Sequence, residues 1–171
     1  MRKWKAVRAI DPSRPIISGN SHPRPAAWHN SREGSWRPDD RGQAREILLR
    51  DNPAPLDTIG IHIYGGGPAS KDVAAWAEDR AAYLRWVKGV AREAGRPVFI
   101  GEFGVEAKGD PAAVRAEFEA LLDAMERAEV DLAALWVFDL PHQTTWSATF
   151  ENDRSPMLRL IAEANRRWKA R

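Results

Sequence analysis

The sequence contains no cysteine among its 171 residues, which excludes disulfide bonds, thiolate metal ligands and cysteine nucleophiles. It also lacks a long apolar run, because the longest, residues 132–138, is far too short to span a bilayer as a helix. We therefore expect no membrane partner. Residues 1–5 are not followed by the apolar stretch of a signal peptide, and none of these features indicates a compartment.

Several motifs that bind cofactors or carry out catalysis are also missing. The glycines at 65–67 are followed by Pro68 and lack the Lys and Ser/Thr of a phosphate-binding loop. The four histidines (22, 29, 62 and 142) show no i,i+4 pairing on a helix, so no metal site is expected. No Gly-x-Ser-x-Gly element for acyl transfer is present. The sequence therefore predicts no cofactor.

Neither sign of charge is in large excess, since 26 basic residues face 24 acidic ones. The basic residues are enriched towards both ends of the sequence, but they are scattered among prolines or along predicted helix faces without a dense run. A nucleic-acid surface needs clustered Lys and Arg. A nucleic-acid-binding module is therefore the weakest of the functions considered, and no nucleic-acid partner is expected.

Tryptophan, in contrast, is abundant, with eight residues in a composition otherwise ordinary for a soluble globular protein. Several of these side chains must fill the core. So many also suit a protein that binds flat apolar surfaces such as the faces of sugar rings.

Short apolar segments alternate with longer amphipathic ones along the whole sequence. The predicted strands are residues 14–20, 56–64, 96–102 and 131–139. The predicted helices cover 41–50, 71–94 with Ser70 as N-cap, a segment from Pro111 with Asp110 as N-cap, and a segment from Ser155. A βα unit repeated four times predicts an α/β fold with parallel strands and outer helices, formed by residues 1–171 as a single unit. The long loop at about 20–40 is expected to be functional.

The ends of the predicted strands carry the candidate site residues. Glu102 ends the third strand between Gly101 and Phe103-Gly104, where βα enzymes place catalytic groups. A salt bridge to a neighbouring arginine is the alternative explanation, and for Glu102 alone the two are evenly balanced. His62 and Tyr64 alternate on the second strand and so share one face, from which they can hydrogen-bond a sugar hydroxyl or Glu102.

Trp136 lies on the fourth strand, where a tryptophan is most often a core residue. Near the carboxyl end of that strand it is also suited to form the floor of a sugar site. Asp139, His142 and Trp146 follow in the next loop with weaker claims.

Taken together, these strand ends resemble glycoside hydrolase family 5, the cellulases and mannanases, which are retaining enzymes with a (β/α)8 barrel. Residues 61–64 resemble the His-x-Tyr of the sixth barrel strand, 96–104 the nucleophile motif of the seventh and 135–138 the Trp segment of the eighth. Residues 11–20 are similar to the fifth strand and its approach. The resemblance thus spans nearly the whole sequence and implies a partial barrel made of strands five to eight.

The resemblance implies hydrolysis of a β-linked glucan or mannan, with an oligo- or polysaccharide as partner. Glu102 would be the nucleophile, His62 and Tyr64 would orient it or bind sugar hydroxyls, and Trp136 would stack beneath the ring. A retaining glycosidase needs a second carboxyl group about 5–5.5 Å from the first. In the family this acid/base is the Glu of an Asn-Glu pair, which occurs nowhere in this sequence. We therefore expect the C-terminal half of a barrel, without its acid/base.

Half a barrel exposes sheet edges and the apolar inner faces of its strands. The chain is expected to associate with itself or with a separate N-terminal half-barrel. The alternative to an active half is a non-catalytic remnant that self-associates and at most binds carbohydrate through Trp136 and the loop residues Trp28 and Trp36.

Overall fold

A computed structural model of the protein describes residues 3–65 and 73–169. In chain order, its elements are α1 (Lys3–Ile10), α2 (Ala27–Glu33), α3 (Arg41–Asp51), β1 (Ile59–Gly65), α4 (Arg80–Glu93), β2 (Val98–Val105), α5 (Pro111–Arg127), β3 (Leu132–Leu135) and α6 (Ser155–Lys169). The three strands form one parallel sheet in the order β1-β2-β3. None of the helices in the described ranges is both long and apolar enough to cross a membrane.

The core lies between one face of the sheet and helices α4 and α5. Alternate residues of the strands point towards these helices, because side chains on a strand project to opposite faces in turn. The sheet contributes the buried residues Ile59, Ile61, Ile63, Val98, Ile100, Phe103 and Val105, and the helices contribute Tyr83, Leu84, Val87, Phe118, Leu121 and Met125. Helix α6 packs on α5 and buries Met157 and Ala164. The catalytic candidates therefore face away from this core.

Helix starts follow the capping signals. Asp110 accepts a hydrogen bond from the Ala113 amide at 3.1 Å, and Pro111 is the first residue of α5, as predicted. Asp40 and Gln43 form a reciprocal capping box on α3. The predicted helix 71–94 is wrong at its start: α4 begins only at Arg80, capped by Asp79, and the predicted cap Ser70 lies outside the described residues.

The helical spacing of Val73, Trp76 and Ala77 predicts that they belong to the helix, but this spacing has another cause. They pack against the core from a non-helical segment. The Trp76 ring lies 4.9 Å from that of Trp86, measured between centroids.

The predicted strand 14–20 is not a strand in the structure. The segment runs beside the outer edge of β1, but side chains occupy hydrogen-bonding groups of that edge. Asn52 Oδ1 accepts from the Gly60 amide at 2.8 Å, and His22 Nδ1 bonds the His62 carbonyl at 2.8 Å. The described sheet therefore has three strands instead of the four predicted.

The predicted strand 131–139 ends earlier, at Leu135. The Trp136 amide still donates to the Phe103 carbonyl at 2.8 Å, after which the peptide Trp136-Val137 is cis and the chain leaves the sheet. Residues 136–149 then fold back on themselves, with the Ala148 amide bonded to the Val137 carbonyl at 2.9 Å.

The long loop at 20–40 contains α2 and is closed by a buried hydrogen-bond network. The His29 and Asp39 side chains are only 3% and 2% exposed, and their Nδ1 and Oδ1 atoms lie 2.8 Å apart. Asp39 also accepts from the amides of Trp28 and His29 at the start of α2, while Arg37 Nε donates to His29 Nε2. One carboxylate thus ties the end of this loop to the start of α2.

Candidate active site

His62, Tyr64 and Glu102 converge at the carboxyl ends of β1 and β2, on the sheet face opposite α4 and α5, which is free of helices among the described residues (the helix-free face). Since parallel strands end at the same edge of a sheet, side chains near their ends become neighbours. His62 pairs in register with Glu102, and Tyr64 pairs with Gly104. This is the face that a (β/α)8 barrel would turn inwards.

A β-bulge in β2 places Glu102 on this face. Ile61 pairs with Ile100, but His62 pairs with Glu102, so Gly101 is an extra residue between the two pairs. If β2 were regular and Gly101 were paired as well, strict alternation would put Glu102 on the same side as Ile100, towards the helices, because a one-residue shift exchanges the two faces. Phe103, the next residue, is buried on the helix side.

Two side chains contact the same oxygen of Glu102. The Tyr64 hydroxyl donates a hydrogen bond to Oε2, and His62 Nδ1 lies 3.2 Å from the same atom. Among the described residues none hydrogen-bonds Oε1, and the Glu102 side chain is 24% exposed. Burial of the phenol raises the pKa of Tyr64 above its usual value, and the hydrogen bond to Glu102 raises it further. Tyr64 is therefore held as a neutral donor to the carboxylate.

The His62 imidazole occupies space that is free because Gly101 has no side chain. A Cβ on Gly101 would lie 3.0 Å from His62 Nε2 and 3.2 Å from Cδ2, closer than ordinary van der Waals contact. The main chain of His62 is fixed on the other side by the bond from His22 to its carbonyl.

Trp136 lies beside this group but is not joined to it by any described ring contact or hydrogen bond. Its Nε1 donates to Gln143 Oε1 at 2.8 Å, and its carbonyl packs against Gly104. Trp146, which had the weaker claim from sequence, contacts the group instead. Its ring meets that of Tyr64 edge-on, with centroids 5.2 Å apart and planes at 72°. The fold-back of residues 136–149, which produces this contact, leaves no signal in the sequence.

Of the other acidic side chains near the strand ends, Glu106 is engaged elsewhere. Glu106 bonds Lys108 Nζ at 2.9 Å and Thr145 Oγ1 at 3.0 Å, and the Lys108 contact lowers the pKa of Glu106. A carboxyl group held as an anion is a poor proton donor. Asp139 and His142 are exposed. Within residues 3–65 and 73–169, no group of three or more His, Asp or Glu side chains is placed to hold a metal ion.

The fold resembles solved glycosidase structures. An endo-β-1,4-mannanase from Rhizomucor miehei is 13% identical, with a TM-score of 0.64 over 98% of this chain and 44% of its own. An endo-β-1,4-mannanase from Thermotoga petrophila is 15% identical, with a TM-score of 0.59 over 96% and 38%. A structure described as an endoglucanase is 18% identical, with a TM-score of 0.57 over 92% and 50%. The chain thus spans half or less of these proteins, and the predicted partial barrel is confirmed.

At such identities the structural likeness establishes the fold alone. A comparison with curated protein sequences found no match. The family model described as Cellulase (glycosyl hydrolase family 5), however, matches residues 2–139. Because this match covers most of the sequence and includes all three strands, the chain belongs to glycosyl hydrolase family 5.

Proposed function

We propose that the chain carries the nucleophile part of a retaining glycosidase site that acts on β-linked glucan or mannan. The observation that carries the proposal is the convergence of Tyr64 and His62 on one oxygen of Glu102, the other oxygen being unbonded among the described residues. The Tyr64 hydroxyl, which donates to Oε2, and the His62 imidazole, which contacts the same atom, would orient the carboxylate. Oε1 is then the atom available for attack.

In the proposed reaction, Glu102 Oε1 attacks the anomeric carbon and forms a glycosyl ester while the bond to the leaving oxygen breaks. That oxygen takes its proton from an acid/base carboxyl group. Water, deprotonated by the same group, later attacks the anomeric carbon and releases Glu102. Trp136, which lies beside Gly104, and Trp146, which contacts Tyr64, are proposed to pack against the sugar ring.

We place the acid/base outside residues 1–171, since the sequence has no Asn-Glu pair and Glu106 is held by Lys108. It would come from a polypeptide that supplies the remaining barrel strands. The chain by itself is then expected not to hydrolyse cellulose or mannan.

The proposal can be tested on the chain alone, because a glycoside with an activated leaving group needs no acid to expel it. Incubation with a dinitrophenyl 2-deoxy-2-fluoro-β-cellobioside or β-mannobioside should leave a stable glycosyl ester on the Glu102 peptide, detected by mass spectrometry. Glu102→Gln should abolish labelling. The matched control is Glu119→Gln, an exposed carboxylate paired with Arg115 on α5, which should label normally. Labelling that persists in Glu102→Gln, or none in the unaltered chain, contradicts the proposal.

The second candidate is a non-catalytic, self-associating remnant. It is favoured by the uncovered face of the sheet, where Leu132 is 61% exposed. Under this alternative neither glycoside labels the chain. Any binding of cello- or manno-oligosaccharides would then be unaffected by Glu102→Gln.

A further inference from the structure

Arg154 is a buried cation that the proposed chemistry does not use. The residue is only 5% exposed, between residues 136–149 and the start of α6. Its Nη1 donates to the Thr145 carbonyl at 3.0 Å, and its Nη2 donates to the Val105 carbonyl at 2.7 Å. One guanidinium therefore joins the last residue of β2 to the loop that follows β3.

Burial of this charge is costly. The described hydrogen bonds of the Arg154 guanidinium go to two carbonyl oxygens and to the Met157 sulfur, none of them to a carboxylate, and the neighbouring Asp153 is exposed. Desolvation lowers the pKa of Arg154 below its usual value. An apolar side chain at this position would avoid the penalty of an unpaired buried charge, so the two carbonyl contacts are the feature that favours arginine.

Both segments joined by Arg154 lead directly to the candidate site. Val105 lies three residues after Glu102 on β2. Thr145 precedes Trp146, whose ring contacts Tyr64, and the Tyr64 hydroxyl bonds Glu102. The Thr145 carbonyl also accepts from the Ala107 amide at 2.7 Å, so it is held from two sides.

We propose that Arg154 is a positioning residue for Glu102, which acts by fixing the loop that presses Trp146 against Tyr64. The inference rests on the proposed function only in giving Glu102 a catalytic role. A planar guanidinium places two parallel donors on two carbonyls at once, whereas a lysine ammonium is a single point of charge. Lysine at this position therefore keeps the charge but loses one of the two links.

The test reads the Tyr64 hydroxyl directly. The protein contains two tyrosines, so labelling with carbon-13 at Cζ gives two NMR signals, and Tyr83→Phe assigns them. In the otherwise unaltered chain, Glu102→Gln should shift the Tyr64 signal. In an Arg154→Lys background most of this response should be lost, because Tyr64 is no longer pressed onto Glu102. Arg115→Lys, a change of the same kind at an exposed arginine paired with Glu119, should leave the response intact.

A second variant covers the case in which Arg154→Lys does not fold. Trp146→Ala breaks the last link while Arg154 stays in place, and it should cause the same loss at Tyr64. A full Tyr64 response in folded Arg154→Lys or in Trp146→Ala overturns the proposal, as does the absence of any response to Glu102→Gln in the unaltered chain. Since the measurement needs no substrate, failure of glycoside labelling would contradict the proposed function and leave this inference standing.

Discussion

Gly101 shows how much a single residue contributes to this site. It is the extra residue of the bulge in β2, and its missing side chain leaves the space that the His62 imidazole occupies. Both properties act on Glu102, the first by turning the carboxylate to the helix-free face and the second by allowing His62 to reach Oε2. The arrangement of His62 and Glu102 is expected to tolerate little displacement, because misplacement of a reacting group by about 1 Å can lower a reaction rate about a hundredfold.

Gly101→Ala should therefore displace His62 and slow labelling of Glu102. The added Cβ would meet the imidazole at 3.0 Å, so the ring must shift, and its contact with Glu102 changes. We expect labelling by the activated fluoroglycoside to slow between about ten- and a hundredfold, with the His62 ring signals shifted in the NMR spectrum.

Gly89→Ala is the control for this change. It lies inside α4, where an added Cβ meets no atom within 4 Å. The substitution should leave labelling unchanged and stabilise the helix by roughly 0.5–1 kcal/mol. Unchanged labelling in Gly101→Ala would show that His62 has no part in orienting Glu102.

Much of the site is predictable from the sequence at this scale. Alternation along a strand places His62 and Tyr64 on one face, and the flanking glycines draw attention to Glu102. Two features are not predictable. The bulge depends on the register between β1 and β2, and the contact of Trp146 with Tyr64 depends on how residues 136–149 fold back.

Among the elements, those with strong end signals are predicted best. Helix α5 begins where Asp110-Pro111 predicts, and α3 begins beside its capping box. Segment 14–20 has a strand-like composition, but side chains of Asn52 and His22 bond the edge of β1 instead of its backbone. Such contacts between distant parts of the chain override local propensity.

Asp39 gives an experimental test of how the segment around α2 is stabilised. Asp39→Asn replaces one carboxylate oxygen with an amide donor, although both oxygens accept hydrogen bonds, one from Trp28 and the other from His29. Because the site is buried, we expect a loss of about 2–4 kcal/mol in the free energy of unfolding. Urea denaturation should show a lower midpoint with an unchanged m-value.

The neighbouring Asp40→Asn is the matched control. Asp40 caps α3, and asparagine caps a helix about as well as aspartate. Its midpoint should hardly change. Equal losses of unfolding free energy in the two variants would mean that the buried contacts of Asp39 stabilise the protein no more than the exposed helix cap at Asp40.

At the scale of the whole molecule, the described residues Trp136 and Trp146 cover one face of the sheet only near Gly104, whereas helices cover the other face. Helices α4 and α5 pack on that face, while Leu132, on the free edge strand β3, stays 61% exposed. An open edge with apolar neighbours favours pairing with another chain. We expect sedimentation velocity to show association of the isolated chain that increases with concentration.

Leu132→Lys should weaken this association, because it places a charge on the uncovered face. Ile10→Lys, at an 86% exposed position on α1, should have no effect. A chain that remains monomeric at all concentrations, or two variants that behave alike, would mean that this face does not mediate association.

The bulge in β2 also matters for comparing the whole chain with other family members. At identities of 13–18% an alignment depends on where gaps are placed. Gly101 is the residue without a pairing partner, so a relative with one residue fewer in this strand would align with its gap at 101. Such a relative would pass from the equivalent of Ile100 directly to the carboxylate and would still present it on the same face. Loss of this one residue would therefore shorten the strand without changing the face on which the carboxylate lies.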